Sequence, residues 1–138
     1  MRKACSWGAQ LAESSQYAKT FVGEWSAATD ICAYPDGHTE AGATCNVDGC
    51  QCQGNTGSDE WSQPMVDAVR SFMEAQLDTF EKNASGFFFW SFKGPGAWSF
   101  LSGVKDGWIP QPLDERKFPG QCDGNVVSRV KRGLGGRA

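Results

Sequence analysis

Apolar residues recur at steps of three and four along residues 63–82, at Val66, Val69, Met73, Leu77 and Phe80, and this spacing predicts a helix with one buried face. Pro64 suits its first turn, and Gly86 reads as its stop. The run Phe87-Phe88-Phe89-Trp90-Ser91-Phe92 follows without polar alternation, the pattern of a parallel strand buried on both faces. Upstream, Thr20, Phe21 and Val22 in succession predict a strand over residues 19–25, and residues 4–17 carry the Ala, Leu, Gln and Glu content of a short surface helix. Strand, connection, helix and strand in that order make one βαβ unit with a right-handed crossover. The connection, residues 30–59, is rich in Gly, Asp, Asn and Cys and has turn signals at Pro35-Asp36-Gly37 and Val47-Asp48-Gly49. It is expected to be irregular, and connections of that length are mostly functional or cross-linked. Beyond a turn at Gly94-Pro95-Gly96, a short helix over residues 98–104 and a wrapping tail through Pro110, Pro112 and Pro119 to Cys122 complete the expected layout.

Composition narrows the class. A chain of 138 residues that is 40% hydrophobic and 21% charged fits one domain, or a piece of one, with a real core. The net charge of -3 conceals an acidic body: residues 129–138 hold four basic groups and no acid, and the remainder has nine basic against sixteen acidic groups. Phosphate binding needs clustered Lys and Arg, so nucleic acid is excluded as the main partner. No stretch is long enough to span a bilayer, which leaves no membrane partner to assign. Residues 123–138 read as a disordered Gly/Arg tail and residues 1–122 as the folded part. Six Trp and nine Phe exceed what packing alone requires, and flat rings are what proteins stack on sugars.

Six cysteines, Cys5, Cys32, Cys45, Cys50, Cys52 and Cys122, imply an oxidising compartment and allow fifteen pairings. Asn83-Ala84-Ser85 is an N-glycosylation acceptor pattern that agrees with that compartment. The first residues lack an apolar run of signal-peptide length, so an upstream part of the protein is expected. A competing reading takes His38, Cys45, Cys50 and Cys52 as four ligands of a Cys-rich zinc module, although their spacing matches no usual finger or knuckle. A second competitor is a sugar-binding module that stacks on Trp25, Trp90 and Trp98 without turnover. Otherwise the sequence calls for neither metal nor cofactor.

Glu24 is the residue most suited to chemistry. It closes the strand Phe21-Val22-Gly23-Glu24-Trp25 and precedes small residues and the long connection. In barrel enzymes the loops past the C-terminal strand ends build the active site.

Four stretches carry a resemblance: Val22-Gly23-Glu24-Trp25-Ser26-Ala27-Ala28-Thr29-Asp30-Ile31-Cys32, Glu74-Ala75-Gln76-Leu77-Asp78-Thr79-Phe80-Glu81, Phe89-Trp90-Ser91-Phe92-Lys93, and the segment from Pro110 to Cys122. In this order they resemble the C-terminal part of fungal exo-β-1,3-glucanases, glucan 1,3-β-glucosidases of glycoside hydrolase family 5. The resemblance implies an α/β fold: a partial (β/α)8 TIM barrel holding about the last two βα units, strands 7 and 8, plus a C-terminal wrapping tail. It implies Glu24 as the nucleophile of a retaining hydrolase and Trp90 as the floor of the subsite beside the cleaved bond. It also implies a Cys5 to Cys122 pairing, an extracellular or cell-wall location, a β-glucan oligosaccharide or polysaccharide as partner, and the N-terminal part of the barrel as a second one. The acid/base glutamate of that family sits in an Asn-Glu-Pro motif absent from this sequence, so the chain alone is expected to be inactive. Among the remaining cysteines, Cys32 is expected to pair with one of Cys45, Cys50 and Cys52.

Overall fold

The computed structural model describes residues 2–123. The expected basic tail at residues 123–138 lies, beyond its first residue, outside the described residues. In chain order the elements are α1 (Arg2–Ser15), β1 (Phe21–Trp25), β2 (Ile31–Ala33), β3 (Thr39–Ala41), β4 (Gln51–Cys52), α2 (Gln63–Asn83), β5 (Gly86–Phe89) and α3 (Phe100–Lys105), with short 3-10 turns between some of them.

β1 and β5 pair in parallel, as the strand, helix, strand order predicts. The pairing has one irregularity: Val22 faces Phe87 and Glu24 faces Phe88, so Gly23 is an extra residue in β1. Side chains alternate across a strand, and an inserted residue shifts the phase of everything after it. The bulge therefore lets Val22 and Trp25, three positions apart, both pack on the core. Trp25 meets Phe80 of α2 and Phe87 and Phe89 of β5 edge-on, with ring centroids 5.0, 5.4 and 5.2 Å apart. Such edge-to-face contacts add about 0.5–1.5 kcal/mol each beyond area burial.

The helix stripe is core. Val69, Met73, Leu77 and Phe80 are buried and Val66 is partly so. Met65, outside that stripe, is fully buried as well. α2 begins with Pro64 in its first turn and ends at Asn83, where the Ala84 N–H still reaches the Phe80 carbonyl. Gly86 is thus the first residue of β5 rather than the helix stop. Its missing Cβ leaves room for the Phe21 ring, two carbons of which would lie 3.1 Å from it.

α1 packs along α2. Gly8 permits the close approach, since a Cβ there would meet the Asn83 amide nitrogen at 3.1 Å. Ala4, Cys5, Ala75 and Cys122 form a small second cluster between the helices and the tail.

Residues 30–59 depart from the expected irregular connection. β3, β2 and β4 form an antiparallel sheet, with Cys32 opposite Cys52 and Ile31 opposite Ala41. Strands of two or three residues are too short for period-2 patterning to show, so composition alone suggested a loop.

The tail wraps as expected and is held by a carboxylate. Glu74 of α2 is fully buried; its oxygens accept from the Arg70 guanidinium at 2.8 Å and from the backbone N–H groups of Lys117 at 3.0 Å and Phe118 at 2.6 Å. Arg116 adds ion pairs to Asp78 and Glu81 at 3.0 and 2.7 Å. Both Glu74 oxygens have donors, the condition under which a buried charge is tolerated.

Candidate functional site

β1 and β5 run the same way, so Glu24 and Trp90 leave the pair at the same end. The Trp90 N–H donates to the Trp25 carbonyl at 2.9 Å, fixing the two strand ends to each other. The bulge at Gly23 sets the direction of Glu24: aligned with Phe88, it is on the face opposite Trp25. Bulges beside functional positions re-aim a side chain in this way. Glu24 is exposed, and a Cβ at Gly23 would have open space around it.

Three clamps hold the backbone just beyond Glu24. Gln76 of α2 donates through Nε2 to the Ser26 carbonyl at 3.0 Å, and Gln53 donates to the Ala27 carbonyl at 2.9 Å while its Oε1 accepts from the Thr29 N–H at 2.6 Å. The Ala27 N–H donates to the Ala97 carbonyl at 3.2 Å, tying the strand end to the segment after β5. Both glutamines are buried, where an unmade hydrogen bond costs about 1–3 kcal/mol. Sequence reasoning missed them. Gln76 left a signal, because it sits seven residues after Val69 and four before Phe80, a polar group on the buried stripe. Gln53 left none, since its partners come from folding of the connection.

Trp90 is 54% exposed and its peptide bond to Ser91 is cis. Residues 91–101 then fold back through Ser91 N–H to Trp98 O at 2.6 Å and Phe100 N–H to Ser91 O at 2.9 Å. Trp98, also expected as a stacking surface, is 45% exposed in this turn. Trp25, the third such tryptophan, is 7% exposed and enclosed by Phe80, Phe87 and Phe89. That placement corrects the expectation that it binds sugar: the same bulge that turns Glu24 outward turns Trp25 inward.

All six cysteines are paired, Cys5 with Cys122, Cys32 with Cys52 and Cys45 with Cys50. The first bridge has a Cα separation of 5.2 Å and closes a sequence gap of 117 residues. The zinc reading fails on these pairings, because Cys45, Cys50 and Cys52 have no thiol to deprotonate. His38 stands in the turn between β2 and β3, its Nδ1 2.6 Å from Asp36 Oδ1 and its ring stacked on Tyr34 with centroids 4.0 Å apart. The backbone N–H of His38, and then its ring, hold the Asp36 carboxyl below its ordinary value. The Tyr34 hydroxyl donates to Glu40, which raises its pKa. Asn83 of the acceptor pattern lies at the end of α2 and donates through its side-chain amide to the Thr79 carbonyl at 2.8 Å. No helix of the described residues is long and apolar enough to cross a membrane.

Comparison with known proteins agrees with the motif order. The chain is 35% identical over 130 residues to a glucan 1,3-beta-glucosidase of Candida oleophila, covering 88% of this chain and 30% of that protein. It is 35% identical over 136 residues to glucan 1,3-beta-glucosidase 2 of Wickerhamomyces anomalus, covering 89% and 31%, and 39% identical over 111 residues to glucan 1,3-beta-glucosidase 2 of Candida albicans, covering 73% and 23%. No protein-family model matches the chain. It thus spans about a third or less of the length of these relatives. With identity sustained across most of its residues, the chain belongs to the fungal glucan 1,3-beta-glucosidase family and corresponds to a part of its members.

Proposed function

We propose that this chain contributes the nucleophile and the sugar floor of a secreted β-1,3-glucan glucosidase of the retaining type. Glu24 is the nucleophile and Trp90 the floor; β1 and β5 are the seventh and eighth strands of a partial (β/α)8 barrel. The observation that carries the reading is the bulged parallel register, which puts Glu24 and an exposed Trp90 at one end of one strand pair.

In a retaining glycosidase a carboxylate attacks the anomeric carbon while a carboxylic acid about 5 Å away protonates the leaving oxygen. The clamps from Gln53 and Gln76 hold the segment after Glu24, so attack need not wait for the backbone to order. The indole of Trp90 offers an apolar face to the ring C–H groups. The proton donor comes from outside these residues, from a polypeptide that also covers the open face of the pair.

The reading is tested by exchanging the corresponding segment of the Candida oleophila relative for this chain. The hybrid is expected to release glucose from laminarin, and Glu24→Gln to lower that rate by roughly ten-thousandfold or more, the scale of removing one member of a catalytic triad. This chain by itself releases none. A hybrid as active with Gln at position 24 as with Glu removes the assignment. The exposed Trp90 and Trp98 favour one further reading, laminarin binding by the chain alone without turnover.

A further inference from the structure

α1, α2 and the segment after β1 enclose a cavity of about 560 Å³ that neither Glu24 nor Trp90 lines. Lys3 and Trp7 line it from α1, Phe72 and Gln76 from α2, and Thr29 and Asp30 from the segment between β1 and β2. Lys3 and Trp7 are four residues apart, so they share one face of their helix. Cavities of about 300–1,000 Å³ suit small organic ligands.

Three features limit what this one can take. Neither the Lys3 ammonium nor the Asp30 carboxylate has an ion-pair or hydrogen-bond partner among the described residues, although both stand at the cavity. One cation and one anion leave it without net charge, and an entering anion would meet Asp30 as well as Lys3. Gln76 is 8% exposed; its Nε2 is used on the Ser26 carbonyl, and its Oε1 has no donor among the described residues. A hydroxyl brought into the cavity would relieve the cost of that unpaired acceptor. The third feature is the Trp7 indole, 48% exposed, an apolar plane beside these polar groups.

We propose that this cavity is a second sugar site, holding one glucosyl unit of a β-glucan chain away from the point of cleavage. The C–H face of the ring lies on Trp7, its hydroxyls donate to Asp30 and to Gln76 Oε1, and Lys3 donates to a ring or hydroxyl oxygen. Glucose as the sugar rests on the glucosidase reading, whereas the case for a neutral hydroxylated ring rests on the cavity alone. A second contact with one polymer raises the effective concentration of its chain ends near Glu24.

The test labels the full chain with heavy nitrogen at its tryptophans, adds laminaritriose and follows the indole N–H signals by NMR. The Trp7 signal is expected to shift saturably, with a millimolar Kd, and to do so equally in Trp90→Ala, which removes the proposed subsite floor. Asp30→Ala, an exposed change outside the core, is expected to weaken the Trp7 response about tenfold, the scale of one lost hydrogen bond to a charged group. A Trp7 signal that stays still overturns the proposal. So does a Trp7 shift that vanishes in Trp90→Ala, one that Asp30→Ala leaves unchanged, or an equal shift with inorganic phosphate in place of the sugar. No turnover is read, so a hybrid enzyme that fails to need Glu24 would leave this result standing.

Discussion

On the face of the β1–β5 pair that α2 covers, Trp25, Phe87 and Phe89 interlock with Phe80, and Trp25 is almost wholly withdrawn from solvent. On the other face Phe21 and Phe88, whose ring centroids are 6.2 Å apart, are 53% and 66% exposed. The residues on the two faces differ little in hydrophobicity. They differ in whether another element is laid over them, because burial depends on a partner as well as on composition. Parallel strands are normally covered on both sides. The open face is also the one that presents Glu24, so among the described residues the surface without a packing partner is the one that carries the proposed nucleophile. Covering of that face by more polypeptide is consistent with a chain that spans about 30% of its Candida oleophila relative.

The contrast between the faces can be broken by loosening what backs α2, the helix that covers one of them. Replacing Cys5 and Cys122 with Ser unties α1 and the tail from each other, and the chain-entropy estimate for so long a loop is about 4–5 kcal/mol. Chemical denaturation of the double variant is expected to show a loss of that order. It is also expected to expose the covered face to a hydrophobic dye.

A paired substitution sharpens it. Trp25→Ala empties the covered face and is expected to cost about 3–5 kcal/mol, the range for deleting a large buried aromatic. Phe88→Ala, one register position from the partner of Trp25 and on the open face, is expected to change stability by no more than about 0.5 kcal/mol, as for surface sites. Equal losses in denaturation midpoints would mean that the open face is packed after all.

The smallest expected effect lies away from both faces, in the turn at Asp36. Its carboxyl is held below the ordinary 3.8 by the His38 N–H, so the turn contact is fully present above that value and is lost as pH falls through the lower folded value. A pH titration followed by NMR should move the Asp36 and His38 signals together in that acid window. The Trp25 signals should stay unchanged over the first part of it.

Much of the fold was legible. The α2 stripe, the two strands and the tail follow from period, breakers and proline, because each is a local pattern enforced by one long-range requirement, burial of one face. The antiparallel sheet in residues 30–59 was not legible, because its strands are stabilised by cross-links and ladder bonds rather than by side-chain pattern. At the site, Glu24 and Trp90 stood out as residues, whereas the Gly23 bulge that sets the face of Glu24 did not.

By itself the sequence determined which residues prefer to be out of water and how they recur, and its motif order determined the family. Only the tertiary structure decided that Trp25 is core and Glu24 is not, although they are neighbours, because an inserted residue reverses the side-chain phase of a strand only relative to a paired partner. Likewise the sequence supplied six cysteines, and it was the spatial order of α1, the tail and the small sheet that selected one pairing from fifteen, since a disulfide forms only between sulfurs that folding has already brought together.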